Sequence, residues 1–361
     1  MIKENKSLTV LVTGAGAPGT AGTIHALRNN PDDLPIKVVA VDMHDEVVGK
    51  YLADVFYTVP SAQDPAFISL LLEIVKKENV DVVLPQVTHE LSLLAQMQDQ
   101  FESAGVKVIV SSYSAIQKAN NKLNVLIAAE QTNVPYPQYR LAKNEQQLIE
   151  AVNSFGYPAN KVVVKPLVSN GMRGLRIISS QPWDVKRFLE EKPQGVEISL
   201  ENLLAILRHG VWPELIVSEY LPGPEYSVDM FRGKNLKIAI PRLRKQIRSG
   251  ITFQSLTELR KDLIDYSLAL GDHLDLRYCF GFQFKLDKDG TPKVLECNPR
   301  VQGTMVAGVF AGFNLIYYAI KEIMGEPVDH FDSTNLRDGL RFLRYWGGVA
   351  VYEDTEFLGR F

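Results

Sequence analysis

Glu296, Asn298 and Arg300 fall at alternate positions in the run Val294-Leu295-Glu296-Cys297-Asn298-Pro299-Arg300. A carboxylate and an amide two residues apart share one face of a strand. Their oxygens are what a hard divalent cation takes, with nucleotide phosphates and water completing a magnesium shell. Pro299 stops the strand and stiffens a turn that aims Arg300 at the same phosphates. The preceding segment, Gly281-Phe282-Gln283-Phe284-Lys285-Leu286, is followed by a turn at Asp289-Gly290. Gln283 there sits between aromatic residues expected in the core and could reach the metal or the pair from the adjoining strand. The competing reading is a buried hydrogen-bonded cluster.

Two earlier stretches could serve the other end of a nucleotide. Val162-Val163-Val164-Lys165-Pro166 ends an apolar strand on a lysine, and Ser169-Asn170-Gly171-Met172-Arg173-Gly174 follows. A fixed ammonium beside a glycine loop whose amides fold over an anion suits phosphate; a hairpin with an exposed lysine is the alternative. Ser218-Glu219-Tyr220-Leu221-Pro222-Gly223-Pro224-Glu225 cannot be an ordinary central strand, because two prolines lack donors. As a kinked connector it exposes backbone groups to a ligand, and Glu225 beside it could hold a ribose hydroxyl pair. A surface edge strand with its acids in water is the lesser alternative.

Two further features stay open. Thr13-Gly14-Ala15-Gly16-Ala17-Pro18-Gly19 follows a strand, opens a helix and has Asp42 closing the next strand, which fits a dinucleotide fingerprint with a longer interval than the usual ~20 residues. A tight strand-to-helix turn that touches a substrate is the preferred reading. Arg242, Arg244 and Arg248 lie at even positions of one strand-like run and would line one anionic pocket or one solvated basic face. The six histidines are scattered without metal-ligand spacing, so zinc is not expected.

The elements that must position these residues change character along the chain. Over the first third, short apolar strands (residues 8–13, 36–42, 81–84 and 106–110) alternate with helices starting near Thr20, Asp64 and His89, predicting a parallel α/β unit with ligand loops at the strands' carboxyl ends. A helix over 123–131 follows, ended by Pro135 and Pro137. Strand-like runs at 161–166, 175–178, 215–220, 226–231, 236–240, 279–286 and 293–297, with few helices between them, then predict antiparallel sheets. The tail 326–361, with Phe342, Tyr345, Trp346 and Tyr352, would add strands or an interface.

Composition narrows the field. With 361 residues, 46% hydrophobic and 22% charged, the chain has the balance of a globular enzyme of two or three packed units. A net charge of -3 gives no electrostatic case for nucleic acid or an acidic membrane, leaving small molecules as the expected partners. The two cysteines, Cys279 and Cys297, lie in apolar strand-like runs and read as reduced core residues. The first apolar run is too short for a secretory h-region, and none reaches the ~20 residues of a membrane helix. A cytoplasmic protein is the expectation.

The stretches around Lys165, Glu219, Gln283 and Glu296, in this order, resemble the ATP-grasp superfamily of ligases, its carbamoyl-phosphate-synthase-like and pyrrolysine-biosynthesis-ligase-like members above all. The resemblance reaches to about residue 324. It implies a Rossmann-like pre-ATP-grasp domain over 1–115, an ATP-grasp fold of two α+β subdomains over 116–325 with its lid at roughly 135–220, and an extension over 326–361. It implies ATP with Mg2+, Mn2+ being an alternative, and a carboxylate activated as an acyl phosphate for attack by an amine or other nucleophile. By this resemblance Lys122 and Lys165 are the cationic phosphate and purine contacts. Ser169, Asn170, Gly171, Arg173 and Gly174 belong to the lid loop. Glu219, Tyr220 and Leu221 form the adenine hinge, and Glu225 is the ribose acid. Glu296 and Asn298 are the magnesium ligands, with Gln283 at a further metal position, and Arg300 is the catalytic arginine, with Arg248 near the triphosphate or acyl phosphate. The chain departs from the pattern in Asn121, where relatives often carry aspartate, and in Gln283, where an acid is usual; the latter implies a second metal held less tightly. A homodimer is open. The rivals are a nicotinamide-dependent oxidoreductase built on the 14–19 loop and a non-catalytic ATP-binding regulator.

Overall fold

The computed structural model describes residues 7–169, 171–182, 184–191, 195–328, 332–345, 347–352 and 356–360, without the side chains of 356–358. Asn170 and Trp346 lie outside the described residues. The chain divides into two compact units: Met1–Asn120 with Glu225–Gln283 and Cys297–Phe361, and Asn121–Pro224 with Phe284–Glu296.

The first unit opens with a parallel sheet of β1 (Leu8–Thr13), β2 (Ile36–Asp42), β3 (Val55–Thr58), β4 (Val82–Leu84) and β5 (Lys107–Val108), in the order β3-β2-β1-β4-β5. All of β1 is buried, as helices on both faces of a parallel sheet require. Leu11, Val39, Val41 and Val83 pack on one side with Phe67, Leu71 and Leu91; Val10, Val12, Val38 and Leu84 pack on the other with Ile24 and Leu27. β3 was not expected, being only four residues, three part-buried and one exposed, without a readable period. The run 106–110 shortens to the two paired residues of β5.

The second unit has a sheet of β6 (Tyr139–Ala142), β7 (Val162–Pro166), β8 (Arg176–Ile178), β9 (Glu197–Ile198) and β10 (Leu215–Glu219), in the order β6-β10-β7-β8-β9. β10 pairs antiparallel with β6 and β7. Val162, Val164, Leu215 and Val217 face Leu148, Val152 and Leu203 of the helices Glu145–Ser154 and Leu200–Leu207. That leaves the Val163 and Lys165 side of β7 away from this core, as strand alternation predicts.

The remaining strands β11 (Glu225–Arg232), β12 (Lys237–Arg248), β13 (Ile251–Thr257), β14 (Tyr278–Leu286), β15 (Pro292–Asn298) and β16 (Arg341–Leu343) form one sheet, in the order β15-β14-β11-β12-β13-β16. The unit boundary falls inside β14 and β15. β12 joins the expected strand at 236–240 and the strand-like run of Arg242, Arg244 and Arg248 into one element, its arginines finding partners on neighbouring strands. Two register shifts against β13, at Arg244/Gln246 and Gln246/Ile247, break the alternation, so the predicted shared face of Arg242, Arg244 and Arg248 ends at Arg244. Helices are also commoner than expected, with Lys261–His273 between β13 and β14. β17 (Val349–Tyr352) and β18 (Glu356–Arg360) pair as a hairpin. No helix among the described residues is long and apolar enough to cross a membrane.

Candidate active site

In the second unit two lysines far apart in sequence meet at one strand end. Lys122 opens the helix Lys122–Gln131, where the Asn121 side chain caps the amides of Leu123 and Asn124. Asparagine is a preferred residue at this cap position. The Lys122 backbone amide donates to the Leu167 carbonyl, 2.9 Å, so β7 fixes the start of this helix. Lys122 and Lys165 are 5% and 4% exposed. Lys122 Nζ donates to the Ser169 carbonyl (2.8 Å) and hydroxyl (3.0 Å) and lies 3.5 Å from Glu296 Oε2. Lys165 Nζ donates to the Leu295 carbonyl at 3.1 Å. Ammonium groups this deeply buried need strong polar partners, and the Glu296 side chain, 27% exposed, supplies one to Lys122.

The loop between β7 and β8 has positive φ at Gly171, Met172 and Gly174. At Gly174 a Cβ would strike Pro166 Cγ at 2.5 Å, so glycine is required where the loop returns to β8. Arg173 is exposed. Glu219 Oε1 accepts from the Gln138 amide (2.8 Å) and Lys293 Nζ (2.7 Å). Lys161 lies over the Tyr220 ring at 6.0 Å, and Leu221 is buried. The connector to β11 is lashed down, with Gly223 N donating to the Leu286 carbonyl and Leu286 N to that of Pro224.

In the first unit Glu225 pairs with Arg244, which also donates to Thr252 Oγ1 and the Gly250 carbonyl. Gln283 is half-buried between the fully buried Phe282 and Phe284. Asn298 Oδ1 accepts from Arg300 Nη2 at 3.4 Å; Arg300 Nε reaches Thr88 Oγ1 at 3.1 Å and its Nη1 the Val301 carbonyl at 2.8 Å. Arg248 is exposed, its guanidinium 4.7 Å from the centre of the Phe253 ring. Among the described residues no group of three or more His, Cys, Asp and Glu is placed to hold a metal.

A polar stripe escaped the sequence reading. Cross-strand pairs Ser227↔Arg242, Arg242↔Thr257, Arg244↔Ser255 and Ser255↔Phe342 put these side chains on one sheet face. Arg242 is fully buried and forked onto Asp229 at 2.6 and 2.9 Å. Arg344, two residues past Phe342, donates to the carbonyls of Pro18 and Gly303; burial and the nearby Arg242 charge lower its pKa. Gln302 reaches β14 only because residue 281 is glycine, where a Cβ would sit 1.6 Å from Gln302 Nε2. Arg242 Nη1, Arg344 Nε, Gln302 Nε2 and Ser255 Oγ are buried without a hydrogen-bond partner among the described residues. Arg242 carried a sequence signal; Arg344 and Gln302 carried none, since neither lies in a pattern that separates it from an ordinary polar residue.

At the 14–19 loop, Asp42 Oδ2 accepts from Gly16 N at 2.7 Å and Oδ1 from His44 N at 3.0 Å. Both oxygens that a ribose would need are thus engaged by neighbouring turns.

Family profiles match two regions: residues 10–109 to "PylC-like, N-terminal domain" and residues 212–344 to "ATP-grasp in the biosynthetic pathway with Ter operon". The chain is 23% identical over 273 residues to the carbamoyl phosphate synthase large chain of Clostridium acetobutylicum, covering 72% of this chain and 24% of that protein. It therefore spans about a quarter of the length of such relatives. Among solved structures, the ADP complex of N5-carboxyaminoimidazole ribonucleotide synthetase superposes with TM-score 0.66 at 19% identity, over 89% of this chain and 78% of the other. The biotin carboxylase complex with β,γ-ATP from Campylobacter jejuni gives 0.67 at 16%, over 93% and 74%. At these identities the superpositions show the fold. The chain thus carries a region matching a PylC-like N-terminal domain followed by a region matching an ATP-grasp model, on the fold that these solved neighbours share.

Proposed function

We propose that this protein is an ATP- and magnesium-dependent ligase that activates a small carboxylate as an acyl phosphate and passes it to an amine. The observation that carries this reading is the meeting of the buried Lys122 and Lys165 ammonium groups at residues 295–296 of β15, beside the start of the 169–174 loop. Buried cations next to a loop rich in free-turning glycine suit a polyphosphate. The names of the solved neighbours, complexes of ADP and of an ATP analogue, point the same way. In this reading residues 1–115 are the pre-ATP-grasp domain, 116–325 the ATP-grasp domain with its lid at roughly 135–220, and 326–361 an extension.

The donor set fits magnesium: Glu296 and Asn298 alternate on β15 and offer only oxygen ligands. Magnesium bound there would neutralise charge on the phosphates of ATP. Lys122 and Lys165 hold the phosphates, Glu219 to Leu221 line the base, and the 169–174 loop folds over the nucleotide and excludes water. The substrate carboxylate takes the donors of Arg242, Arg344, Gln302 and Ser255. Its oxygen attacks the γ-phosphorus, ADP leaves, and Arg300 stabilises the charge spread over the equatorial oxygens. Phosphoryl transfer needs positioning more than covalent help, which these residues supply.

The test is a thermal shift with Mg-ATP and with NAD, followed by ADP release across a panel of carboxylates with and without amines. Stabilisation by Mg-ATP alone and carboxylate-dependent ADP release are expected. Stabilisation by NAD and none by Mg-ATP would sink the reading.

A further inference from the structure

The order β3-β2-β1-β4-β5 reverses its direction of growth between β1 and β4, so the loops leaving these two strands part to opposite faces. Open parallel sheets take ligands in the crevice this leaves at the carboxyl ends of the strands. Gln86 and Glu90 gather there around Thr13. Gln86 is saturated: its amide nitrogen donates to the Thr13 carbonyl (3.1 Å), its oxygen accepts from Thr23 Oγ1 (2.5 Å), and its backbone amide donates to Thr13 Oγ1 (3.1 Å). Glu90, on the helix Thr88–Gln96, is not. Its side chain is hydrogen-bonded by Thr13, the residue is 9% exposed, and Oε2 is buried without a partner among the described residues. An unsatisfied buried acceptor of this kind costs about 1–3 kcal/mol.

The same turn receives the arginine assigned to phosphoryl transfer, since Arg300 Nε binds Thr88 Oγ1 at 3.1 Å. An acid with an open oxygen therefore stands two residues from the anchor of the group that meets the acyl phosphate. The charged groups around it explain its protonation. Burial raises its pKa to about 7, the Thr13 hydrogen bond works against this, and the Asp42 charge at the end of β2 adds to it. Of the neighbouring helices, Tyr113–Asn120 meets Ser92 through Gln117 and keeps Lys118 exposed, while Asp99 and Glu102 of Gln98–Ser103 are exposed, as is His89.

We infer that Glu90 is the residue that recognises the ammonium group of the amine substrate through Oε2 and accepts its proton, an assignment that rests on the ligase reading above. The substrate ammonium transfers one proton to the Glu90 carboxylate, giving a neutral amine and a neutral acid. The nitrogen lone pair attacks the carbonyl carbon of the acyl phosphate and a C–N bond forms. The C–O bond to phosphorus then breaks with its electrons, and the second nitrogen proton leaves with phosphate as the hydrogen phosphate dianion. A carboxyl poised near neutrality suits this exchange, because a docked cation favours its ionised form and transfer of the proton restores the neutral one.

The experiment compares two nucleophiles on the full chain with Mg-ATP and a carboxylate that supports ADP release. Hydroxylamine is uncharged at neutral pH and traps the acyl phosphate as a hydroxamate without a base; an alkyl amine arrives charged. In Glu90→Gln the ratio of amine-dependent to hydroxylamine-dependent product should fall by about 10²-fold or more, the usual contribution of a positioned base, and Glu90→Asp should recover part of it. In parallel, methylammonium chloride titrated into 13C-glutamate-labelled protein should lower the titration midpoint of the Glu90 carboxyl, while sodium chloride should not. An unchanged ratio, or a midpoint indifferent to methylammonium, overturns the assignment of Glu90 alone. Absence of hydroxamate in the wild type as well removes the ligase reading and this assignment together.

Discussion

The 14–19 and 169–174 loops are both glycine-rich, both follow a strand, and both read as phosphate cradles in sequence. The structure separates them. In the first, Gly16 N is taken by Asp42, Ala17 N and Thr20 Oγ1 by the Gly14 carbonyl, and Gly49 packs against the Ala15 carbonyl. In the second, Leu175 N reaches back to Met172 O, residues 171–174 are exposed, and the Ser169 end is held by the Lys122 ammonium. Glycine content alone does not decide between them: the 14–19 turn spends its amides within the turn and on Asp42, whereas the phosphate role of 171–174 belongs to the proposed function.

The sharpest way to break this comparison is one substitution at each loop. Lys165→Ala beside the second loop should reduce carboxylate-dependent ADP release by about 10²–10³-fold, as loss of a preorganised charge does. Gly16→Ala, whose Cβ would meet Val47 Cγ1 at 2.9 Å, should leave the calorimetric affinity for Mg-ATP where it was. If Gly16→Ala abolishes nucleotide binding and Lys165→Ala does not, the two loops have been assigned the wrong way round.

A second consequence concerns Glu90, which shares Thr13 with the locked loop. Its carboxyl is raised from 4.5 to about 7 by burial. The neutral form therefore contributes stability that is full below the unfolded value and is lost as pH climbs through about 7. The loss amounts to roughly 3 kcal/mol at 1.36 kcal/mol per unit. Chemical denaturation should show Glu90→Gln gaining on the wild type between pH 5 and pH 8, and a difference independent of pH would mean that Glu90 is not held neutral.

Smaller still is the cost of overfilling the locked loop. In Gly49→Ala the new Cβ would lie 2.4 Å from the Ala15 carbonyl oxygen, and such overpacking costs about 1–3 kcal/mol. A melting temperature unchanged from wild type would show that the loop yields more readily than its hydrogen bonds suggest. The smallest effect should be in hydrogen exchange, where Mg-ATP slows the amides of residues 171–174 and leaves those of 14–19 as they were. Equal slowing in both loops would erase the distinction.

Much of the molecule was legible in sequence because the signals are local. Period-two alternation put Val163 and Lys165 on the side of β7 opposite the Val162 and Val164 core, and Glu296 and Asn298 two apart on β15. Repeated strand and helix over the first third gave the parallel sheet, and the resemblance gave the ATP-grasp order that the family profiles bear out. The roles of the individual site residues remain part of the proposal. Where local signals were weak the reading slipped. β3 is too short to carry a period, and nothing in the sequence marks that the run 236–240 and the strand-like run of Arg242, Arg244 and Arg248 are the single strand β12. The register shifts that retire Arg248 from the face of Arg242 have no sequence mark.

Sequence by itself marked β1, β2, β4, β7, β10, β11, β14 and β15 as strands, and determined where the lysine-ended strand β7 meets its glycine loop and that carboxylate, amide and arginine alternate at residues 296–300. Tertiary structure alone decided which polar groups are satisfied. Arg344 reaches Pro18 across 326 positions, Arg300 reaches Thr88 across 212, and Asp42 closes on Gly16 across 26. Backbone periodicity is set by neighbours within a few residues and so is written in the chain. The partner of a buried donor or acceptor is set by packing between distant segments, and whether Glu90 Oε2 or Arg242 Nη1 is left open to a ligand exists only once those segments have met.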